Sequence, residues 1–425
     1  MGRLCDNRIR MISWDSVMAF LLGFICLGGA TFFPHNLRWP FMVLAVAGTA
    51  MFTGKLYVTR YQAMWFAIAA VLVVAIPFSY DKGMAAVFAG LYFLSAVLLC
   101  FPYTDHFWER LLTVMRGFAL VMAISIILST VIENLILDYF WIIVNPRRTQ
   151  SVITRIQNEL SKGSYSGLAG EQAQAALIMN VGIATKLAIP FSGGRVRKKD
   201  SFELVLYLVA LILTGKRMLF VIPVLVGATV LLLSEMRQKV TKLFFAILGL
   251  VAALGVAYFF IPQMAIIYER LIGNVGTEYY DPLSGRGDLW EYSIRMFLEK
   301  PLFGYGFGSY NSYAYDHGYL RNGQRWNYFG HNCYLQLLGE TGLVGTALFV
   351  GMFVYALVFT ARSFRKSASR ERKYYLIFSF CLQLMLLIYC VTGNVLYYAE
   401  QVFLWFIGIA MSFYMENREM GRTWT

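Results

Sequence analysis

Apolar runs of about 20 residues recur along the whole chain, and they constrain the fold more than any motif does. A helix needs about 20 residues to cross the hydrocarbon core of a bilayer. Within that core each backbone N–H and C=O must find its partner inside the protein. Read this way, residues 15–33, 38–54, 62–78, 84–102, 113–132, 171–190, 202–214, 217–233, 242–262, 343–361, 374–392 and 396–415 are expected spans. The chain is therefore expected to be an all-α integral membrane protein of about 12 transmembrane helices, with one polytopic domain over residues 1–425. A large extracytoplasmic loop, residues 263–342, separates spans nine and ten. Composition agrees: 58% of residues are hydrophobic and 14% charged, a balance that a water-soluble domain could not hide.

The net charge of +13 reflects topology, not a nucleic-acid partner. Arg3, Arg8 and Arg10, the run Arg195 to Lys199, and the cluster Arg362, Arg365, Lys366, Arg370, Arg372 and Lys373 all fall in short segments on one side. By the positive-inside rule that side is cytoplasmic, as are both termini. Residues 1–30 resemble a signal peptide but are read as an uncleaved first helix, because further spans follow at once. The outer loop 133–170 runs against the trend with Arg147, Arg148, Arg155 and Lys162. It is either an interfacial segment touching lipid phosphates or a collector for an anionic lipid-linked substrate. The six cysteines lie mostly within or beside apolar runs without a CxxC spacing, so neither a disulfide nor a metal cluster is expected.

Polar residues able to do chemistry gather late in the chain. The pair of spans over 201–233 is short for two crossings and is interrupted by Thr214-Gly215-Lys216-Arg217. Arg217 is thus expected at lipid-phosphate depth, where it either meets an anion or, with Lys216, snorkels to the surface. Further on, Asp288 and Glu291 fit a capping box, and Leu289, Trp290, Ile294, Phe297 and Leu298 make one apolar face before Pro301, predicting an amphipathic helix. Arg286 stands just ahead of it, where helix-end donors favour an anion and a guanidinium can bind two phosphate oxygens. A loop arginine at the surface is the plainer alternative.

The alternating glycines of Gly304-Tyr305-Gly306-Phe307-Gly308 do not follow a nucleotide-binding pattern; they suit a tight turn or a close approach to a sugar. His331 opens a helical run in which Asn332, Gln336 and Glu340 share one face. Histidine suits general-base work near neutral pH, though at a helix start it also serves as a structural donor or cap. Asp316 and His317 are the groups a metal would use together with His331, but no spacing supports this, and neither a metal nor another cofactor is expected.

Ser284-Gly285-Arg286, Trp290, Pro301 to Gly308, His331-Asn332, Gln336, Glu340, Gly342 and Gly345, with Thr214 to Arg217 before them, resemble the O-antigen ligase and polymerase superfamily. The resemblance covers the motif region 214–345, and the span layout is similar elsewhere. It implies a bacterial membrane glycosyltransferase of the GT-C kind that moves a glycan from undecaprenyl diphosphate to an acceptor hydroxyl on the outer face of the plasma (inner) membrane. By the same resemblance the reaction is metal-independent, and a direct attack predicts inversion at the anomeric carbon. His331 would deprotonate or orient the acceptor, and Arg217 and Arg286 would hold the diphosphate, with Lys216, Asn332, Gln336 and Glu340 in support. The acceptor is either a lipid-linked repeat unit, making the protein a polymerase of capsule, exopolysaccharide or O-antigen, or lipid A-core, making it a lipopolysaccharide ligase. Residues 170–174 depart from the Asn-rich signature that many members show there. A flippase or transporter of lipid-linked sugars fits less well, because the spans carry few ionisable groups.

Overall fold

The computed structural model describes residues 13–32, 35–53, 56–132, 139, 150–234, 286–318, 320–321, 324–325 and 329–419. The chain runs through α1 (Trp14–Phe32), α2 (His35–Thr53), α3 (Arg60–Ala75), α4 (Lys82–Leu98) and α5 (Asp105–Leu128). It continues through α6 (Gln150–Ser161), α7 (Gln172–Phe191), α8 (Lys198–Leu213), α9 (Arg217–Leu233), α10 (Gly287–Glu299) and α11 (Tyr310–Asp316). The last three are α12 (Cys333–Lys366), α13 (Arg370–Tyr389) and α14 (Ala399–Glu419). Leu320–Arg321 and Gln324–Arg325 form a minimal antiparallel pair. Each expected span coincides with a helix except the ninth, which lies outside the described residues together with Arg147, Arg148, Ser284 and Gly285.

Among the described residues, Arg60–Phe78, Asp105–Leu128, Gln172–Phe191 and Cys333–Lys366 are long and apolar enough to cross a membrane. Trp14–Gly29, Trp39–Met51, Lys82–Leu98 and Arg217–Leu233 are shorter apolar helices. The architecture is that of an all-helical membrane protein. Around the bundle Leu44, Val74, Leu232 and Tyr355 project outward, an apolar surface that lipid satisfies and water would not.

α7 is largely enclosed, surrounded by α5, α8, α9 and α13. Since lipid tails are as apolar as leucine, helices in a membrane associate through close packing of small residues. Gly182 shows this: a Cβ there would stand 3.0 Å from both Ala119 and Tyr207. α14 closes the other side of the bundle against α13, α1, α4 and α12. Helix starts are fixed by side-chain caps: Asp81 accepts from the Met84 N–H at 2.9 Å and Thr104 from that of Phe107 at 3.1 Å, each contributing roughly 1 kcal/mol.

The bundle has two chemically different ends. One is laced by ion pairs, including Arg418 to Asp105 at 2.9 Å, Arg372 to Glu416 at 2.6 Å and Lys186 to Asp200 at 3.1 Å. The other collects the start of α7, the turn between α8 and α9, α10, α11 and the turn between α13 and α14.

Candidate active site

The N-terminal part of α12 is the floor of this second end. Gly342 breaks the helix with φ of 63°, as the Thr341-Gly342 sequence suggests, so residues 333–341 form a short helix distinct from the long apolar one that follows. Asn332 caps it, its Oδ1 accepting from the Tyr334 and Leu335 N–H groups, both at 3.1 Å. Gln336 and Glu340 share a face as expected, with Gln336 Nε2 donating to Glu340 Oε1 at 3.1 Å. Glu340 is wholly buried. Its Oε1 also accepts from the Tyr310 N–H at 2.9 Å, and its Oε2 from the Gly308 N–H and the Tyr397 hydroxyl, both at 2.9 Å. A buried carboxylate is tolerable only when its lone pairs are filled in this way. Gln336 and Glu340 therefore tie three segments together, with their polar atoms turned to protein partners.

Of the two uses expected for the glycine run, the structure shows the tight turn: Gly304, Gly306 and Gly308 all have positive φ. Residues 301–306 lie backbone to backbone along residues 339–344, with the Leu343 N–H on Pro301 O at 2.8 Å and the Gly306 N–H on Glu340 O at 2.7 Å. A Cβ on Gly304 would stand 2.4 Å from the Glu340 carbonyl oxygen, and one on Gly342 would stand 2.4 Å from that of Leu302. Both residues also have positive φ, which glycine alone adopts without cost. The space that side chains would need is filled by protein. The same loop is tied to the turn before α4, where the Tyr80 N–H donates to Tyr305 O at 2.8 Å.

α10 packs against α12. It begins at Gly287 with Arg286 as its N-cap residue, which corrects the expected capping box. Gly287 already takes helical backbone, so Asp288 falls in the first turn and Glu291 pairs with Arg295 at 3.4 Å. The apolar face also divides differently. Leu289, Ser293 and Met296 are buried, whereas Ile294 and Leu298 stay exposed, together with Leu302 and Phe303, which is 73% exposed. One face therefore packs on the bundle and a second apolar face is left outward. Arg286 is half-buried, and burial lowers its guanidinium pKa from the usual value, partly offset by the nearby Tyr389 hydroxyl. Among the described residues no carboxylate lies within ion-pair distance of it. Tyr389 in turn interacts with Glu171 and Tyr398, so the start of α7 and the α13–α14 turn converge on the same place.

His331 precedes the helix instead of opening it. It is the one non-glycine among the described residues with positive φ, at 50°. Its backbone N–H donates to Asn394 Oδ1 at 2.9 Å, and the Asn394 amide nitrogen meets its Nδ1 at 3.2 Å. The first bond fixes which end of the amide is oxygen, so the second must be an N–H donating to a ring lone pair. The imidazole proton therefore resides on Nε2.

Arg217 opens α9 and is exposed. The Lys216-Arg217 turn is anchored at the same end as Glu171, since Ser164 Oγ and the Tyr165 N–H bind the carbonyls of Thr214 and Leu213 at 2.6 and 2.9 Å. α9 packs on α13, the helix that ends at Tyr389. Among the described residues no contact joins Arg217 directly to Arg286 or His331. Asp316 and His317 turn elsewhere, Asp316 accepting from the Tyr80 hydroxyl at 2.7 Å and the His317 ring stacking on Tyr313.

Sequence reasoning missed Asn394, Tyr389 and Glu171. Asn394 carried a readable signal, a Gly-Asn pair in a short connection between two apolar runs; Tyr389 looks like any aromatic at a span end.

No curated protein matches the chain. Residues 202–350 match the family model described as O-Antigen ligase, a segment that contains Lys216, Arg217, Arg286, His331, Asn332, Gln336 and Glu340. Over this segment, about a third of its length, the chain is similar to the O-antigen ligase family.

Proposed function

We propose that the protein is a glycosyltransferase that polymerises a polysaccharide, moving an undecaprenyl-diphosphate-linked glycan onto an acceptor sugar hydroxyl at the outer face of the bacterial plasma membrane. The observation that carries this reading is Arg286, a partly desolvated cation at a helix N-terminus without a carboxylate partner among the described residues, at the same end as His331 and Arg217. Such a group gains most from an anion that arrives with its own charge, and a departing diphosphate is one. In the proposed step the acceptor oxygen bonds to the anomeric carbon as the bond from that carbon to the diphosphate oxygen breaks, with inversion. The acceptor proton passes to the departing diphosphate.

Asn394 bears on the part that His331 plays. With its proton on Nε2, the neutral ring offers a donor to the substrate and has no free lone pair with which to take a proton. His331 is thus assigned the orienting role, hydrogen-bonding a substrate oxygen, and Asn394 is its positioning residue. Arg217, at the head of α9, and Lys216 supply further positive charge for the diphosphate, and no metal takes part. A second reading, transfer to lipid A-core by a ligase, is equally consistent with the family description.

The test is a glycan profile of cells carrying His331→Ala, Arg217→Ala or Arg286→Ala at matched membrane levels. Accumulated single repeat units identify the polymerase, and long chains left on undecaprenyl diphosphate identify the ligase. Wild-type glycan from all three variants would remove the site.

A further inference from the structure

At the ion-paired end of the bundle, opposite His331, a surface cavity of about 590 Å³ opens between α5, the end of α7, the start of α8 and the start of α13. Arg116, Arg195, Arg197 and Arg370 line it, drawn from three separate stretches of chain. The charges behind it are already matched. Buried Lys186 pairs with both Asp200 and Glu203, Arg116 reaches Glu203 at 3.6 Å, and Arg197 Nε donates to Asp200 at 3.1 Å. Arg195 and Arg370 have no ion-pair partner among the described residues, although Glu109, Glu371 and the already paired Asp200 also line the cavity. Two helices, α8 and α13, point their N-terminal ends at it, which adds partial positive charge. The wall also carries Leu112, Ile189 and Tyr374, whose hydroxyl is tied to Thr185 O at 3.2 Å.

The positive-inside bias accounts for basic residues at this end but not for their arrangement around one concavity with a fixed aromatic wall. We infer that this cavity is a phosphate-binding site, with Arg195 and Arg370 as its principal ligands. An anionic phospholipid head group meets both of its requirements, charge at the rim and apolar contact on the wall. A free phosphate compound would meet the first alone.

The test uses the full-length protein, delipidated in detergent, and follows its Tm on titration with phosphatidylglycerol, phosphatidylcholine or inorganic pyrophosphate. Phosphatidylglycerol is expected to stabilise the wild type in preference to phosphatidylcholine. Its apparent Kd should weaken roughly tenfold for each arginine removed in Arg195→Gln/Arg370→Gln. The control Arg362→Gln/Arg365→Gln removes the same charge outside the cavity and should behave as wild type. Pyrophosphate alone reproducing the effect would assign the site to a soluble ligand. Equal responses from the two double variants, or no preference for the anionic lipid, would overturn the proposal, and melting of each variant in phosphatidylcholine shows whether it is folded.

Discussion

Replacing Glu340 by glutamine changes one atom and tests whether this carboxylate holds the outer segments together. Four donors converge on it: the Gly308 and Tyr310 N–H groups, Gln336 Nε2 and the Tyr397 hydroxyl. The glutamine oxygen can serve two of them. Its amide nitrogen cannot sit at Oε1, because both groups there are N–H donors and Gln336 Oε1 is already committed to the Gly330 N–H at 2.8 Å. It must take the Oε2 place, where the Tyr397 hydroxyl can rotate to accept but the Gly308 N–H is stranded. One stranded buried donor costs about 1–3 kcal/mol. Glu340→Ala strands the Tyr310 N–H as well, and should cost at least twice as much. Thermal unfolding of the detergent-solubilised variants measures the order wild type, Gln, Ala, and the glycan profile of cells reports whether loosening residues 308–310 disturbs the reaction. A glutamine variant that melts with the wild type and makes wild-type glycan would refute this account of Glu340.

The remaining predictions concern the site and its supports. His331→Gln keeps an N–H donor near the place of Nε2, so it should retain more transfer activity than His331→Ala; equal loss would favour a general base. Asn394→Ala should reduce turnover with little effect on the melting temperature, since it frees the imidazole but leaves the helix cap on Asn332 intact; loss of the fold instead would make Asn394 purely structural. Gly304→Ala should be destabilising by about 3 kcal/mol or more, because it adds both a clash and a disfavoured backbone conformation, and unfolding of the purified variant measures it. Glu299 accepts from the Tyr305 and Tyr313 hydroxyls, and these bonds lower its pKa from the ordinary value of 4.5. Its folded pKa being depressed, its contribution is complete above about pH 4.5 and fades as pH falls toward the folded value. Glu299→Gln should flatten that part of the acid-unfolding curve.

Much of this architecture could be read from residue order, and the errors have physical causes. Hydropathy located the helices because a helix in lipid must be apolar along its length, whatever its neighbours are. The break at Gly342 and the shared face of Gln336 and Glu340 were readable for a similar reason, being local and periodic. The start of α10 was misplaced by two residues because Gly287 accepts helical backbone as readily as any other. The glycines of residues 304–308 were legible as a tight turn but not in what surrounds it, since the atoms that exclude their side chains come from Ser79, Phe88 and the Glu340 main chain, far away in sequence. Asn394 is the sharpest case. Its role depends on two bonds to a residue 63 positions earlier, and nothing local announces such a pairing.

The outward apolar face of α10, made by Ile294 and Leu298 and continued by Leu302 and Phe303, has a kinetic consequence. If it rests in the membrane interface, it sets Arg286 at the height where lipid phosphates lie, and a lipid-linked substrate need not rise out of the bilayer to reach it. Encounter then becomes a search in two dimensions, governed by lateral diffusion and by the surface density of the lipid carrier and not by bulk concentration. On the proposed polymerase reading, successive transfers also leave the product's lipid tail in the same plane, ready to return.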